Sequence, residues 1–305
     1  MPKKYPETLL EFERWFRTED DCRDYVVKLR WPEGFQCSRC GHGQAWERGR
    51  RILRCGRCRK DTYVTAGTIF QDSHLPLRLW FRAIWWFTNQ KGGVSALGLQ
   101  RLLGLGSYRT AWVCLHKLRR AMVRPGRDLL SGTVEVDEVY VGGLQRDNSS
   151  RRAKACVLVA AEVRGKVVGR IRLQRIPDDS EPNIVKGVRR VVAPGSRLVT
   201  DGAWAYRALV PYGYQHDRVV QGDKSRRELD LMRPLPKVHR VAALLKRWLL
   251  GTYQGRASGE KIDHYLEEFC FRFNRRHSEQ RGMLFYRLVQ QCVDVAPTDY
   301  AAIIA

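Results

Sequence analysis

Two aspartates stand where a folded chain seldom leaves an acid without a partner. Asp137 lies inside the run Thr133-Val134-Glu135-Val136-Asp137-Glu138-Val139-Tyr140-Val141, and Asp201 follows Arg197-Leu198-Val199-Thr200. Both runs read as extended and apolar, and a carboxylate in or beside such a strand costs several kcal/mol unless it is paired or binds a cation. Hard oxygen donors without an adjacent histidine or cysteine suit magnesium or manganese, ions that align a phosphodiester with its attacking water or hydroxyl. The simpler alternative stays open: Asp137 pairs with one of the many arginines, and Asp201 caps a helix starting near Trp204. Alternation puts Glu135 on the same strand face as Asp137 and Glu138 on the other, so the pattern alone does not choose the ligand.

The cysteines give a second, separate chemistry. Cys37-Ser38-Arg39-Cys40 and Cys55-Gly56-Arg57-Cys58 are two CxxC turns separated by residues 41–54. Each turn aims two thiolates at one point, and two such turns facing each other close a tetrahedral shell suited to zinc. Four thiolates leave no open position, so this metal is structural and the module around it needs it to fold. Arg39, Arg48, Arg50, Arg51, Arg54, Arg57, Arg59 and Lys60 surround the turns with little acid, a composition that favours phosphate.

The elements that must position these groups follow from periodicity. Leu77, Trp80, Phe81, Ile84, Trp85 and Phe87 recur at helical spacing and read as a core stripe. Ser95 can cap a helix running to Leu103, and Leu103-Gly104-Leu105-Gly106-Ser107 turns into a second helix from Tyr108 to about Val123 that carries Arg109, Lys117, Arg119 and Arg120. Two short helices across a glycine turn, the second basic, form a helix-turn-helix-like pattern with Arg109, Lys117, Arg119 and Arg120 as candidate DNA contacts. Beyond Pro125-Gly126 the period becomes extended. Thr133–Val141, a hairpin of 155–163 and 167–176 around Gly165, a helix entered through Glu181-Pro182, and the strand ending at Asp201 give a mixed α/β layout.

With 305 residues the chain has room for two or three domains. Its 55 Lys and Arg against 32 Asp and Glu leave a formal charge of +23, more than solubility needs, which makes a polyanion the expected partner. Apolar residues at 44% exclude a disordered basic tail. The apolar run from Leu79 to Phe87 is about half a bilayer span and contains Arg82. Pro6, Glu7 and the charges from Glu11 to Arg14 interrupt any signal peptide, so a cytoplasmic, nucleoid-associated protein is expected. Nine cysteines, four of them clustered, read as a metal site plus free thiols.

An ordered set of motifs carries a family resemblance. It comprises Arg30-Trp31-Pro32-Glu33-Gly34-Phe35, Ala66-Gly67-Thr68-Ile69-Phe70, Thr110-Ala111-Trp112 with His116-Lys117-Leu118-Arg119, Val136-Asp137-Glu138 with Val141-Gly142-Gly143, Thr200-Asp201-Gly202, Leu245-Lys246-Arg247-Trp248-Leu249 with Gly251-Thr252-Tyr253, and Phe271-Arg272-Phe273-Asn274-Arg275-Arg276. Across nearly its whole length the chain resembles the zinc-ribbon-bearing insertion-sequence transposases of the DDE superfamily. The resemblance implies an RNase H-like mixed sheet flanked by helices, catalytic Mg²⁺ or Mn²⁺, double-stranded DNA of terminal inverted repeats and target as partners, and a homo-oligomer on DNA.

Carried over by position, Asp137 and Asp201 match the first two metal-binding aspartates. The third departs from the family pattern: typical relatives carry Glu seven residues before the Lys-Arg pair, and here that place is His239. Seven residues turn a helix by about 700°, so His239 and Lys246 share a face. Imidazole suits manganese better than magnesium. Glu228 and Asp230 are outside alternatives, and a catalytically silent DNA-binding relative or regulator is the competing reading. Lys246, Arg247, Arg272, Arg275 and Arg276 are the expected phosphate contacts in this region. The stretch 221–236 reads as a loop over the site. The expected division is 1–66 for an N-terminal helix and zinc ribbon, 67–126 for the helical region, 131–285 for the catalytic domain and 286–305 for a tail.

Overall fold

The computed structural model describes residues 4–49, 52–123, 126–142, 154–219, 235–254 and 261–304. Glu228, Asp230, Arg50 and Arg51 lie outside the described residues, as does most of the expected 221–236 loop. The chain divides into two compact units, residues 1–125 with 278–305, and residues 126–277. No described helix is long and apolar enough to cross a membrane.

The first unit opens with α1 (Leu9–Trp15) and α2 (Glu19–Arg30), each started by a threonine whose hydroxyl accepts from the first turn. Thr18 and Asp21 of α2 complete a reciprocal capping box. A small antiparallel sheet follows, made of β1 (Ala45–Glu47), β2 (Ile52–Cys55) and β3 (Asp61–Tyr63) in the order β1-β2-β3. Then come α3 (Leu77–Asn89), α4 (Ala96–Leu103) and α5 (Tyr108–Ala121). Ser95 and Ser107 cap α4 and α5, and Gly104 ends α4 at φ +63, a left-handed conformation that favours glycine.

The aromatic stripe of α3 is buried as its spacing predicts: Trp80, Phe81, Ile84, Trp85 and Phe87 are all in the core. Phe81 and Trp85 meet Phe12, Phe16 and Phe285 in a cluster of stacked, tilted and edge-on rings. Phe285 comes from α9 (Arg281–Asp294), so the chain beyond Ser278, read in part as catalytic domain and in part as tail, falls within the N-terminal unit. The reason is nonlocal packing. The Ile69 N–H donates to Cys292 O at 3.1 Å, and Gly282 lies so close to the Pro6 carbonyl that a Cβ could not be accommodated. A last short helix, α10 (Tyr300–Ile304), follows.

The four clustered cysteines bring their sulfurs within 4.8 Å of one another. Cys37 and Cys58 lie 3.5 Å apart, and Cys40 and Cys55 3.6 Å, close to the sulfur spacing of a tetrahedral zinc thiolate shell. The two turns repeat one geometry. Arg39 N and Arg57 N donate to Cys37 Sγ and Cys55 Sγ, each at 3.4 Å, and the residue after each pair, Gly41 and Arg59, has positive φ. The Arg39 N–H leads the contacts that pull the Cys37 thiol down to about 6, and N–H groups likewise lower Cys55. Cys58, despite the Lys60 N–H, is pushed up to about 11 by burial and by the other thiols. A cation resolves that conflict by holding all four as thiolates.

The second unit is built on a five-stranded sheet of β4 (Thr133–Val141), β5 (Ala155–Arg164), β6 (Val167–Ile176), β7 (Arg197–Thr200) and β8 (Gln215–Arg218), ordered β6-β5-β4-β7-β8. The first three strands are antiparallel, and β7 and β8 run parallel to β4. α6 (Glu181–Val191) and a 3₁₀ helix (Trp204–Tyr212) cover one face, where Val134, Val136, Leu158, Ile184, Val188, Leu198, Tyr206 and Leu209 form a core. α7 (Pro236–Tyr253) and α8 (Ile262–Asn274) cover the other, against Val139, Val141, Val157, Val159, Ile171 and Leu173. Strand β5 is buried on both faces, which explains its unbroken apolar run.

Removal of zinc is expected to unfold residues 37–63 selectively. Chelation of the purified chain should abolish amide protection in β1, β2 and β3 while protection in β4 and β5 persists, as read by hydrogen exchange; retention of protection in all five strands would contradict the structural role of the metal.

Candidate active site

Strand pairing brings the two aspartates together. β4 and β7 pair in parallel with Thr133 opposite Arg197, Val134 opposite Leu198 and Glu135 opposite Val199. The pairing stops there and β7 ends at Thr200; continued by two residues, the same register leads Asp137 of β4 toward Asp201, the residue just past the end of β7. Their charges are felt: burial, chiefly, holds the Asp137 carboxyl above its usual range, the Glu138 N–H and His239 oppose that, and Asp201 adds to it. Among the described residues neither aspartate is paired with an arginine or lysine. Asp137 Oδ1 accepts from Glu138 N at 2.9 Å, and Asp201 Oδ1 accepts from Ala203 N at 2.9 Å. Asp201 therefore closes a turn ahead of the 3₁₀ helix, and the helix has no side-chain cap of its own.

His239 stands in the first turn of α7, with Nδ1 3.8 Å from Asp137 Oδ2. The sequence places it there by a seven-residue count, and the unbroken helix keeps it on the face of Lys246. Among the described residues the four cysteines alone bring three or more metal-ligating atoms within 4.8 Å of one another, so the acidic group is a looser assembly than the zinc shell. Its donors are nonetheless carboxylate oxygens plus one imidazole, without a basic counterion among the described residues, a set that fits a hard divalent cation.

Two further carboxylates enter this region. Glu138 points to the opposite face of β4 and accepts from the hydroxyl of the fully buried Tyr206. Burial raises the Glu138 carboxyl to about 7; the Tyr206 bond works against this, and the charges of Asp137 and Asp201 add to it. Glu135, buried to 5% exposure, accepts from Lys237 N at 2.7 Å and Val238 N at 3.0 Å. α7 needs that contact, because its own N-cap residue is Leu235 at φ +58 with no capping oxygen. A residue two positions before Asp137 thus fastens the helix one residue before His239. Alternation puts Glu135 on this face of β4, but its partner lies over a hundred residues away and no local signal reveals it.

The cations divide into two groups. Lys246, Arg247 and Arg120 are exposed, and exposed Arg109 stacks on Tyr300 at 3.8 Å. Lys117 and Arg119 differ from expectation. Lys117 is buried with Nζ donating to Ile69 O at 3.2 Å and Gln71 O at 3.3 Å, burial pulls its ammonium below the usual range, and Arg119 is 2% exposed. Both belong to the core face of α5 and cannot reach a duplex from there. The Arg272, Arg275 and Arg276 row is also engaged within the fold. Arg272 pairs with the fully buried Glu268 at 2.8 Å, Arg275 lies over Phe271 at 4.0 Å, and Arg276 donates to the Phe273 and Val168 carbonyls. In the ribbon, Arg54 forms a two-point pair with Asp61, whereas Arg39 and Arg57 are exposed at equivalent places in the two knuckles.

Glu135→Ala should leave two N–H groups of α7 unsatisfied, at about 1–3 kcal/mol. The expected outcome is roughly 5- to 150-fold faster amide exchange at Lys237 and Val238, with Glu135→Gln closer to the parent because its side-chain oxygen still accepts; unchanged protection in Glu135→Ala would contradict the clamp.

Comparison with known proteins agrees with this architecture. Residues 129–274, spanning the five-stranded sheet with α6, α7 and α8, match the family model of the ISXO2-like transposase domain. Residues 17–61 match that of the transposase zinc-ribbon domain. A relative, an uncharacterized protein in transposable element ISH50 of Halobacterium salinarum, is 26% identical over 280 residues, covering 84% of this chain and 91% of the relative. With the four-cysteine shell lying in the residues of the ribbon match, the chain carries an ISXO2-like transposase domain behind a transposase zinc-ribbon domain.

Proposed function

We propose that this transposase cuts DNA strands at the terminal inverted repeats of its element and joins them to target DNA, using Asp137, Asp201 and His239 as one catalytic group. The observation that carries this reading is the parallel pairing of β4 with β7, whose register leads toward Asp137 and Asp201, two carboxylates without a basic partner among the described residues. The strand order β6-β5-β4-β7-β8, three strands antiparallel and two parallel, supports an RNase H-like description of the sheet.

Asp137 and Asp201 would hold Mg²⁺ or Mn²⁺, with His239 as the third side chain. A divalent cation bound there would supply the positive charge that attack on a phosphodiester, first by water and then by a freed 3′ hydroxyl, requires. The chain's own part is to fix the donors. β4 carries Asp137 and the end of β7 delivers Asp201, the Ala203 N–H fixes the rotamer of Asp201, and the Glu135 clamp keeps His239 against Asp137. Lys246, exposed on the face of α7 shared with His239, is placed to take a DNA phosphate, and Arg247 beside it is exposed as well. In the N-terminal unit, Arg39 and Arg57 of the ribbon and the exposed start of α5 at Arg109 offer further backbone contacts. A homo-oligomer on DNA and a cytoplasmic setting belong to the same proposal.

Asp137→Ala and Asp201→Ala should each lower cleavage of a repeat-end oligonucleotide on the order of 10³-fold, the rate equivalent of several kcal/mol of lost charge stabilisation, while duplex affinity stays within about twofold. His239→Glu should shift the metal preference from Mn²⁺ toward Mg²⁺. Full activity in Asp137→Ala would refute the assignment, and absence of cleavage by the parent protein with either metal would favour the catalytically silent, DNA-binding alternative.

A further inference from the structure

The 3₁₀ helix that follows Asp201 presents an unusual row to solvent. Side chains three apart eclipse one another in a 3₁₀ helix, and here Trp204, Arg207 and Val210 make that row. Trp204 is 68% exposed and Val210 55%, and Arg207 is exposed too, whereas Tyr206 and Leu209 are fully buried. An indole left this open forgoes a large apolar burial. Its position is also firmly held. The Asp201 carboxylate accepts from Ala203 N at 2.9 Å, immediately before Trp204, and Tyr206 is anchored in the core with its hydroxyl on Glu138. Among the described residues Trp204 has no aromatic partner and Arg207 no acidic one. Tyr212, at the far end of the same helix, is by contrast occupied by Arg189 at 4.5 Å.

We propose that Trp204 is a base-stacking residue: its indole receives an unpaired nucleobase of the DNA strand being cut, and Arg207 holds an adjoining phosphate. The proposal rests on the strand-cutting function above and specifies how the substrate is held there. An open π-face beside a cation is the combination that binds single-stranded nucleic acid, because stacking accepts any base and the cation follows the backbone. A phosphodiester at Asp137 and Asp201 would lie three residues along the chain from this indole. Displacing the neighbouring base from its stack would free the strand end to enter the carboxylate site, at an unstacking cost that the indole offsets.

The test is a thermodynamic cycle on the full-length, zinc-loaded chain. Affinity is measured at fixed salt for a duplex ending in the element's terminal repeat, intact or with one abasic site at each nucleotide flanking the scissile bond in turn. Trp204→Ala should weaken binding of the intact duplex roughly 5- to 150-fold, and Trp204→Phe should recover most of the loss. At one position the abasic site should weaken the parent protein by a similar factor and leave Trp204→Ala no weaker than on intact DNA. Unchanged affinity in Trp204→Ala, or losses that multiply at every abasic position, would overturn the stacking role. Thermal midpoints of both variants should match the parent, since the side chain is exposed. Cleavage by the parent protein is scored separately: its failure would count against the strand-cutting function, while the binding cycle still decides the stacking.

Discussion

The parallel pairing of β4 with β7 is the constraint on which the catalytic unit depends. It leads Asp137, in the middle of β4, toward Asp201, which follows the last residue of β7, so two like charges are drawn toward each other by the pairing of the strands that carry them. Such an arrangement is unfavourable in isolation, which is why burial and the neighbouring carboxylate hold Asp137 above its ordinary range. The apolar cores on both faces of the sheet offset that cost. Val136 and Leu198 anchor one face beneath α6, while Val139 and Val159 anchor the other beneath α7.

A second recurring device is capping from a distance. α7 begins at Leu235 and Pro236 and has no capping side chain, and Glu135 reaches across from β4 to accept two of its N–H groups. In the other unit α3 begins after Pro76, also without a cap, and Glu19 of α2 accepts from Leu77 N at 2.8 Å and Arg78 N at 3.0 Å. In each case an anionic oxygen meets the positive end of a helix dipole, so one interaction satisfies orphan donors and fixes the angle between two elements. For α7 that angle decides how closely His239 approaches Asp137.

Much of this was legible in the chain. Helical spacing of Trp80, Phe81, Ile84 and Trp85 marks a core face, Ser95 and Ser107 mark helix starts, and the two CxxC turns mark a metal shell, because each of these is a local signal. What local patterns could not show is which distant partner claims a side chain. Lys117 and Arg119 read as basic residues for DNA, yet the former is taken by carbonyls more than forty residues away and the latter by the core. Arg272 and Arg276 are likewise claimed by Glu268 and by the β6 backbone. Residues 281–294 carry a helical pattern that says nothing of which unit they join, and Phe285 is assigned only by the ring cluster it completes. Glu135 and Glu138 could be sorted to faces by alternation, but their partners Val238 and Tyr206 follow from the tertiary fold.

The most direct measurement is anomalous diffraction from crystals of the zinc-loaded chain soaked in Mn²⁺. A manganese peak within coordinating distance of carboxylate oxygens of both Asp137 and Asp201 is the expected result. A peak bound by only one of them, or none between the two strands while zinc is seen at the four cysteines, would contradict the shared cation site.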